Sequence, residues 1–170
     1  MSPRPGPVDE LAVASAAPPD RVEPAKIPSV RSEEYNMESN DMMLATRRIA
    51  AAPDVTAPDG SEVRVLCGTA RGGMAMFTLP AKAVSKAIVH RTVDEVWYFI
   101  SGRGRVWRRL NDEEVIDEVE AGMSVALPVG THFQFRAGDA EPLVILGATM
   151  PPWPGMDEAV FVEGVWKATA

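Results

Sequence analysis

The chain has two histidines, and each stands in a setting that suits metal chemistry. His90 lies five residues before Glu95, and His132 follows the turn Pro128-Val129-Gly130-Thr131. Imidazole nitrogens and a carboxylate are donors that divalent transition metals accept. On a β framework they must converge from different strands, because one strand turns only every second side chain to the interior. His90, Glu95 and His132 together would make a two-histidine, one-carboxylate facial triad. Such a triad leaves positions open for substrate, water or dioxygen on Fe(II), and Mn, Ni or Zn can also occupy it. The bland alternative is that the two histidines line a pocket without metal, hydrogen-bonded to neighbours.

Period-two reading places further side chains near this centre. From Glu95 it turns Trp97 and Phe99 inward, and from His132 it puts Gln134 and Arg136 on the histidine's side. A part-aromatic, part-polar lining suits a small organic ligand, although Trp97 and Phe99 read more readily as plain core. Asp94 is turned away from the face of Glu95 and reads as a surface residue. Arg105 shares a strand face with Trp107 and Arg109 in the cluster Arg103, Arg105, Arg108 and Arg109. It offers a carboxylate or phosphate contact, or merely a solvated face that discourages edge pairing.

The elements that would position these residues are strands. After Gly60, apolar and β-branched runs recur, each closed by Gly, Pro, Asn or Asp. They predict strands over 62–66, 73–79, 86–90, 95–100, 103–110, 114–119, 124–127, 132–136 and 143–149, with an edge strand within 159–166. Ser101-Gly102 and Asn111-Asp112 suit tight turns, which predicts three consecutive antiparallel strands across them. In 95–100 both alternate sets are apolar, so something must cover the outside. A second copy or the N-terminal segment would serve, and a homodimer is expected. Met150-Pro151-Pro152-Trp153-Pro154-Gly155 reads as a rigid loop whose Trp153 packs over one end of the barrel, with a pocket lid as the lesser alternative.

Residues 1–30 are rich in Pro, Ala and scattered charge, with little to bury, and are expected to be disordered. A short helix is expected over 41–51, stopped by Pro53. The domain reading is an N-terminal extension over 1–55 and one β-barrel domain over 56–170. With 170 residues, 46% hydrophobic and 24% charged, the composition is that of one globular domain. No apolar run reaches the roughly 18 residues of a membrane span. The run 11–17 is too short, and follows Asp9 and Glu10, for a signal peptide. A net charge of -7 repels phosphate backbones, so nucleic acid is not an expected partner. The lone Cys67 excludes an intramolecular disulfide and reads as a small buried hydrophobe, and the protein reads as cytoplasmic. Neither a Ser-His-Asp arrangement nor a phosphate loop opening a helix can be assembled.

Two stretches carry a family resemblance. His90-Arg91-Thr92-Val93-Asp94-Glu95-Val96-Trp97-Tyr98-Phe99-Ile100-Ser101-Gly102 resembles the first motif of the cupin superfamily, in which a His-x-His pair precedes a Glu and a Gly follows. Gly122-Met123-Ser124-Val125-Ala126-Leu127-Pro128-Val129-Gly130-Thr131-His132 resembles the second, with His132 one residue early. The resemblance, to small single-domain cupins, implies an all-β jelly-roll barrel. Thr92 stands at what reads as the second histidine's place, with a shortened gap to Glu95, which leaves at most His90, Glu95 and His132. A metal-dependent isomerase, epimerase, cyclase or oxygenase acting on a small polar substrate is then implied. Its alternative is a non-catalytic domain that binds a sugar or organic acid without metal. A regulatory domain fused to a DNA reader is disfavoured by the few periodic apolar positions before residue 60.

Overall fold

Alternation along the strands decides the architecture. The computed structural model describes residues 44–170. In chain order the strands are β1 (Val55–Thr56), β2 (Glu62–Thr69), β3 (Gly72–Leu79), β4 (Ile88–His90), β5 (Asp94–Ser101) and β6 (Arg103–Leu110). They continue as β7 (Glu113–Glu120), β8 (Ser124–Leu127), β9 (His132–Ala137), β10 (Leu143–Met150) and β11 (Ala159–Phe161). One sheet has the order β1-β2-β3-β10-β5-β8 and the other β11-β4-β9-β6-β7, and every pairing is antiparallel. This is the expected all-β jelly roll. The inward set from both sheets forms one core of Leu79, Phe99, Val106, Phe133, Phe135, Leu143 and Ile145. Trp97 stands at its centre, with edge-on ring contacts to Phe133 at 5.4 Å and Phe135 at 5.0 Å.

Two local expectations are corrected. Asn111, at φ 54°, and Asp112 do close a two-residue hairpin between β6 and β7. Ser101-Gly102, however, does not join paired strands: β5 lies in the six-stranded sheet and β6 in the other. Gly102, at φ 84°, carries the chain between sheets where a Cβ would stand 2.3 Å from the Pro142 carbonyl oxygen. The helix expected over 41–51 is absent from its described part. Residues 44–51 run without helix and are all exposed, so they have no buried face to stabilise one. Side chains of β2 hold that segment instead, with the Arg64 guanidinium donating to the Ala50 and Ala51 carbonyls and the Cys67 thiol to that of Ala45. The expected disorder of residues 1–30 lies outside the described residues. Among those described, no helix is long and apolar enough to cross a membrane.

Around Gln134 of β9, the outer face of the five-stranded sheet is covered by residues 164–170. Gln134 points outward yet is only 1% exposed. Its amide nitrogen donates to the Ser85 and Trp166 carbonyls at 2.8 and 2.9 Å, and its oxygen accepts from the Trp166 N–H at 2.9 Å. Gly164 lies so close that a Cβ there would stand 2.4 Å from that oxygen. Farther on, Thr169 and Ala170 donate to the Val84 carbonyl. We expect Gln134→Ala to destabilise the protein by roughly 2–4 kcal/mol, because it strands buried backbone groups at both ends of the clamp. Urea unfolding measures the loss, and amide exchange at Trp166 should accelerate with it.

Candidate functional site

The end of the barrel near β4 brings His90 and Glu95 together. Both are buried, 5% and 3% exposed, and His90 Nδ1 lies 3.7 Å from Glu95 Oε2. Phe133 and Trp153 each present an edge to the imidazole at 5.1 Å, so Trp153 does pack over this end. Trp97 and Phe99 follow Glu95 on the inward face of β5, as alternation predicts. Four buried polar atoms of this region make no well-formed hydrogen bond within the protein: His90 Nδ1, Glu95 Oε1, Trp97 Nε1 and Thr131 Oγ1, although the Trp97 indole lies near enough to the Glu95 carboxyl to favour its charged form. Thr131 precedes β9 and extends the β4–β9 register opposite His90. Sequence reasoning passed over Thr131, and also Gly147 of β10, where a Cβ would stand 2.7 Å from Glu95 Oε1. The carboxyl occupies the space that a side chain at 147 would fill.

His132 is not part of this centre. Val89 pairs with His132 across β4 and β9, so His132 shares the face of Val89, opposite that of its neighbour His90. Phe133 takes the inward place. The one-residue offset in the second motif carries this consequence, because a shift of one residue sends every side chain to the other face. Half-buried on the outside, the His132 ring accepts at Nδ1 from the Arg109 guanidinium at 3.0 Å. Burial, then the Arg109 charge, lowers its pKa below the usual imidazole value. Gln134 and Arg136 do share its side, but that side is the outer one, where Gln134 clamps the chain end and Arg136 lies over the Trp166 ring. Arg105 is also outward and pairs with Glu118 at 2.6 Å. Arg103 and Arg108 pair with Glu120 and Asp117 of the same hairpin, so the arginine cluster is matched strand to strand rather than aimed at a ligand.

Thr92 also differs from its expected place. The inward residue two positions from His90 along β4 is Ile88, while Thr92 lies in the turn beyond the strand. There the buried Glu158 carboxylate accepts from the Thr92 N–H, Thr92 hydroxyl and Val93 N–H at 2.6, 2.9 and 2.9 Å. Asp94 faces outward, accepting from the Val129 N–H at 2.9 Å.

Two converging donors do not fit a divalent metal. Among the described residues no group of three or more His, Cys, Asp or Glu side chains is placed to hold one. Two protein ligands leave most of the coordination shell to water, which competes on equal terms for the ion.

No family model matches the sequence, and no curated protein matches it. The similarity lies in three dimensions. A Klebsiella pneumoniae protein with a double-stranded β-helix domain superposes at TM-score 0.52 with 15% identity, over 64% of this chain and 89% of that one. The fold is a double-stranded β-helix like that of this neighbour. The capsular polysaccharide assembling protein CapF of Staphylococcus aureus matches this barrel at TM-score 0.58 and 18% identity, over 70% of this chain and 35% of that one. Oxalate decarboxylase of Bacillus subtilis, a protein with Mn(II) centres, matches at 0.55 and 20%, over 65% and 30%. The chain thus spans about a third of the length of the latter two, and identities this low speak for the fold alone.

Burial sets the protonation of the His90–Glu95 pair. It raises Glu95 from 4.5 to about 8, with the Trp97 indole pulling partly back and the Asp59 charge adding to the rise. It lowers His90 from 6.5 to about 4, against an upward pull from Glu158. Both groups are therefore neutral near pH 7. Glu95 keeps its proton in the folded chain while the unfolded chain loses it, so stability falls as pH rises from about 4.5 to about 8. His90 has the opposite sign, costing stability as pH falls from 6.5 to about 4. Of this pair, only Glu95 contributes a slope above pH 6.5. Glu95→Gln should accordingly gain roughly 2 kcal/mol on wild type between pH 6.5 and 8.5. Urea midpoints at the two pH values check this, and parallel curves would disprove the burial of an unpaired acid.

Proposed function

We propose that the protein is a cupin-fold binding domain that takes a small hydroxylated organic molecule, a sugar or an organic acid, at the His90–Glu95 end of the barrel without a transition metal. The observation that supports this most is the group of four buried, unpaired polar atoms in an otherwise apolar core. Each costs about 1–3 kcal/mol while unsatisfied, and a ligand bearing several oxygens would recover that cost at once. The neutral Glu95 carboxyl and the Trp97 and Thr131 donors would serve ligand oxygens. His90 Nδ1 would accept from or donate to a hydroxyl according to tautomer, and the Phe133 and Trp153 edges would hold the apolar face. Entry requires Trp153 to move from His90. The metal-dependent isomerase, epimerase, cyclase and oxygenase chemistries of the first reading need a third protein donor, and His132 is turned away from supplying it.

Reconstitution with Mn, Fe, Ni or Zn should leave less than about a tenth of an equivalent bound after desalting, because two ligands hold a divalent ion too weakly. One equivalent of metal that is lost in both His90→Ala and Glu95→Gln would overturn the proposal. In the same preparation, a thermal-shift panel of monosaccharides and hydroxy acids should raise the wild-type Tm, and the responding compound should do nothing for Glu95→Gln. Saturation at about 100 times Kd corresponds to roughly 2.7 kcal/mol of stabilisation. No response across the panel counts against the ligand class.

A further inference from the structure

We propose that the cavity along the free edge of β11 binds a free α-amino acid with a large apolar side chain, at a site separate from the His90–Glu95 end. The strand β11 ends the five-stranded sheet and is paired on one side only, with β4. The Arg91 N–H donates to the Glu158 carbonyl and the Val162 N–H to that of Ala87, which fixes the phase of this ladder. Residues of an antiparallel strand turn their backbone groups alternately towards a partner and away from it. Ala159 and Phe161 therefore direct their N–H and C=O groups away from β4, and nothing among the described residues bonds to them. That edge borders a cavity of about 450 Å³, inside the roughly 300–1,000 Å³ range of small-molecule pockets. Pro58, Met156 and Phe161 give it apolar walls, the last two 54% and 60% exposed. Lys86 stands over the Phe161 ring at 5.9 Å and steadies that wall.

Charge selects the ligand. Arg91 and Asp157 both line the cavity, yet neither forms an ion pair with the other or with any described side chain. Arg103, Arg105 and Arg108, by contrast, are each matched to a carboxylate. The Glu158 carboxylate, next in the chain to Asp157, is taken by Thr92 and Val93, so Asp157 is the acid left for a ligand. Opposite charges that share a cavity without meeting are complementary to a dipolar molecule. Its carboxylate would sit on the Arg91 guanidinium and its ammonium on the Asp157 carboxylate. The free groups of β11 add an N–H donor for the first and a C=O acceptor for the second, and the apolar walls take the side chain. A ligand with a single charge leaves the other member of the pair unanswered. A sugar leaves both unanswered and gives the apolar walls little to cover, which separates this site from the one proposed at the barrel end.

Amide NMR of the full chain titrated with L-phenylalanine tests this. The uncovered N–H groups of Ala159 and Phe161 report the site directly, and their resonances should shift saturably with a Kd on the order of 1 mM. Hydrocinnamate, which lacks the ammonium, and phenethylamine, which lacks the carboxylate, should each bind about 5-fold more weakly. Arg91→Gln should reduce phenylalanine to the affinity of phenethylamine, and Asp157→Asn to that of hydrocinnamate. Both positions are exposed, so the fold should tolerate either change. Glu95→Gln should bind phenylalanine as wild type does, which keeps this result independent of the reading of the barrel end. The proposal is overturned if the Ala159 and Phe161 resonances stay in place up to about 10 mM phenylalanine. It is equally overturned if either single-charge analogue binds as tightly as phenylalanine, if Arg91→Gln or Asp157→Asn keeps wild-type affinity, or if Glu95→Gln abolishes binding.

Discussion

A β-strand can offer a barrel interior only alternate side chains, and the pairing of Val89 with His132 applies that constraint where it matters most for this protein. It puts His90 inside and His132 outside. Had β9 been displaced by one residue, the imidazole would stand where the Phe133 ring now meets His90, and Phe135 would leave the core with it. The aromatic packing around Trp97 thus opposes any slip that would assemble a metal triad. Donor set and core packing are governed by one register.

The interior that results is apolar except at one end. His90 and Glu95 remain neutral there because burial penalises their charged forms, and their 3.7 Å approach is a contact between neutral groups rather than an ion pair. Unpaired polar atoms are costly to keep in such surroundings, and Gly147 gives up a side chain to make room for one of them. Glu158 stiffens the turn between His90 and Glu95 from outside the core by accepting three hydrogen bonds from Thr92 and Val93. The end of the barrel is built for polar groups that the chain itself does not fully satisfy.

The two outer faces are treated differently. On the five-stranded sheet, buried Gln134 and Trp107 are handled within the chain, Gln134 by the backbone of Trp166 and the Trp107 indole by Glu114. On the six-stranded sheet the corresponding positions are apolar and, among the described residues, uncovered. Polar outward residues can be closed by one strap of backbone, since hydrogen bonds are local. An apolar face needs area, and so calls for another surface of comparable size.

Much of the architecture was legible in the chain. Period-two alternation, the Asn111-Asp112 turn and the two motif-like stretches around Glu95 and Gly130 specify a jelly roll, the inward set of β5 and the surplus of apolar residues on its back. These are local properties, set by neighbours a few residues apart. The missing helix at 44–51 and the sheet change at Gly102 were not legible, since each depends on where distant strands lie. The same holds for the candidate site. His90 and Glu95 sit near one another in the chain and could be paired from it. Whether His132 joined them rested on inter-strand register, and Thr131 and Gly147 enter only because β9 and β10 pass beside β4 and β5. Sequence determined which residues alternate; only the tertiary pairing decided which face of each strand became the inside, because that choice belongs to the whole core.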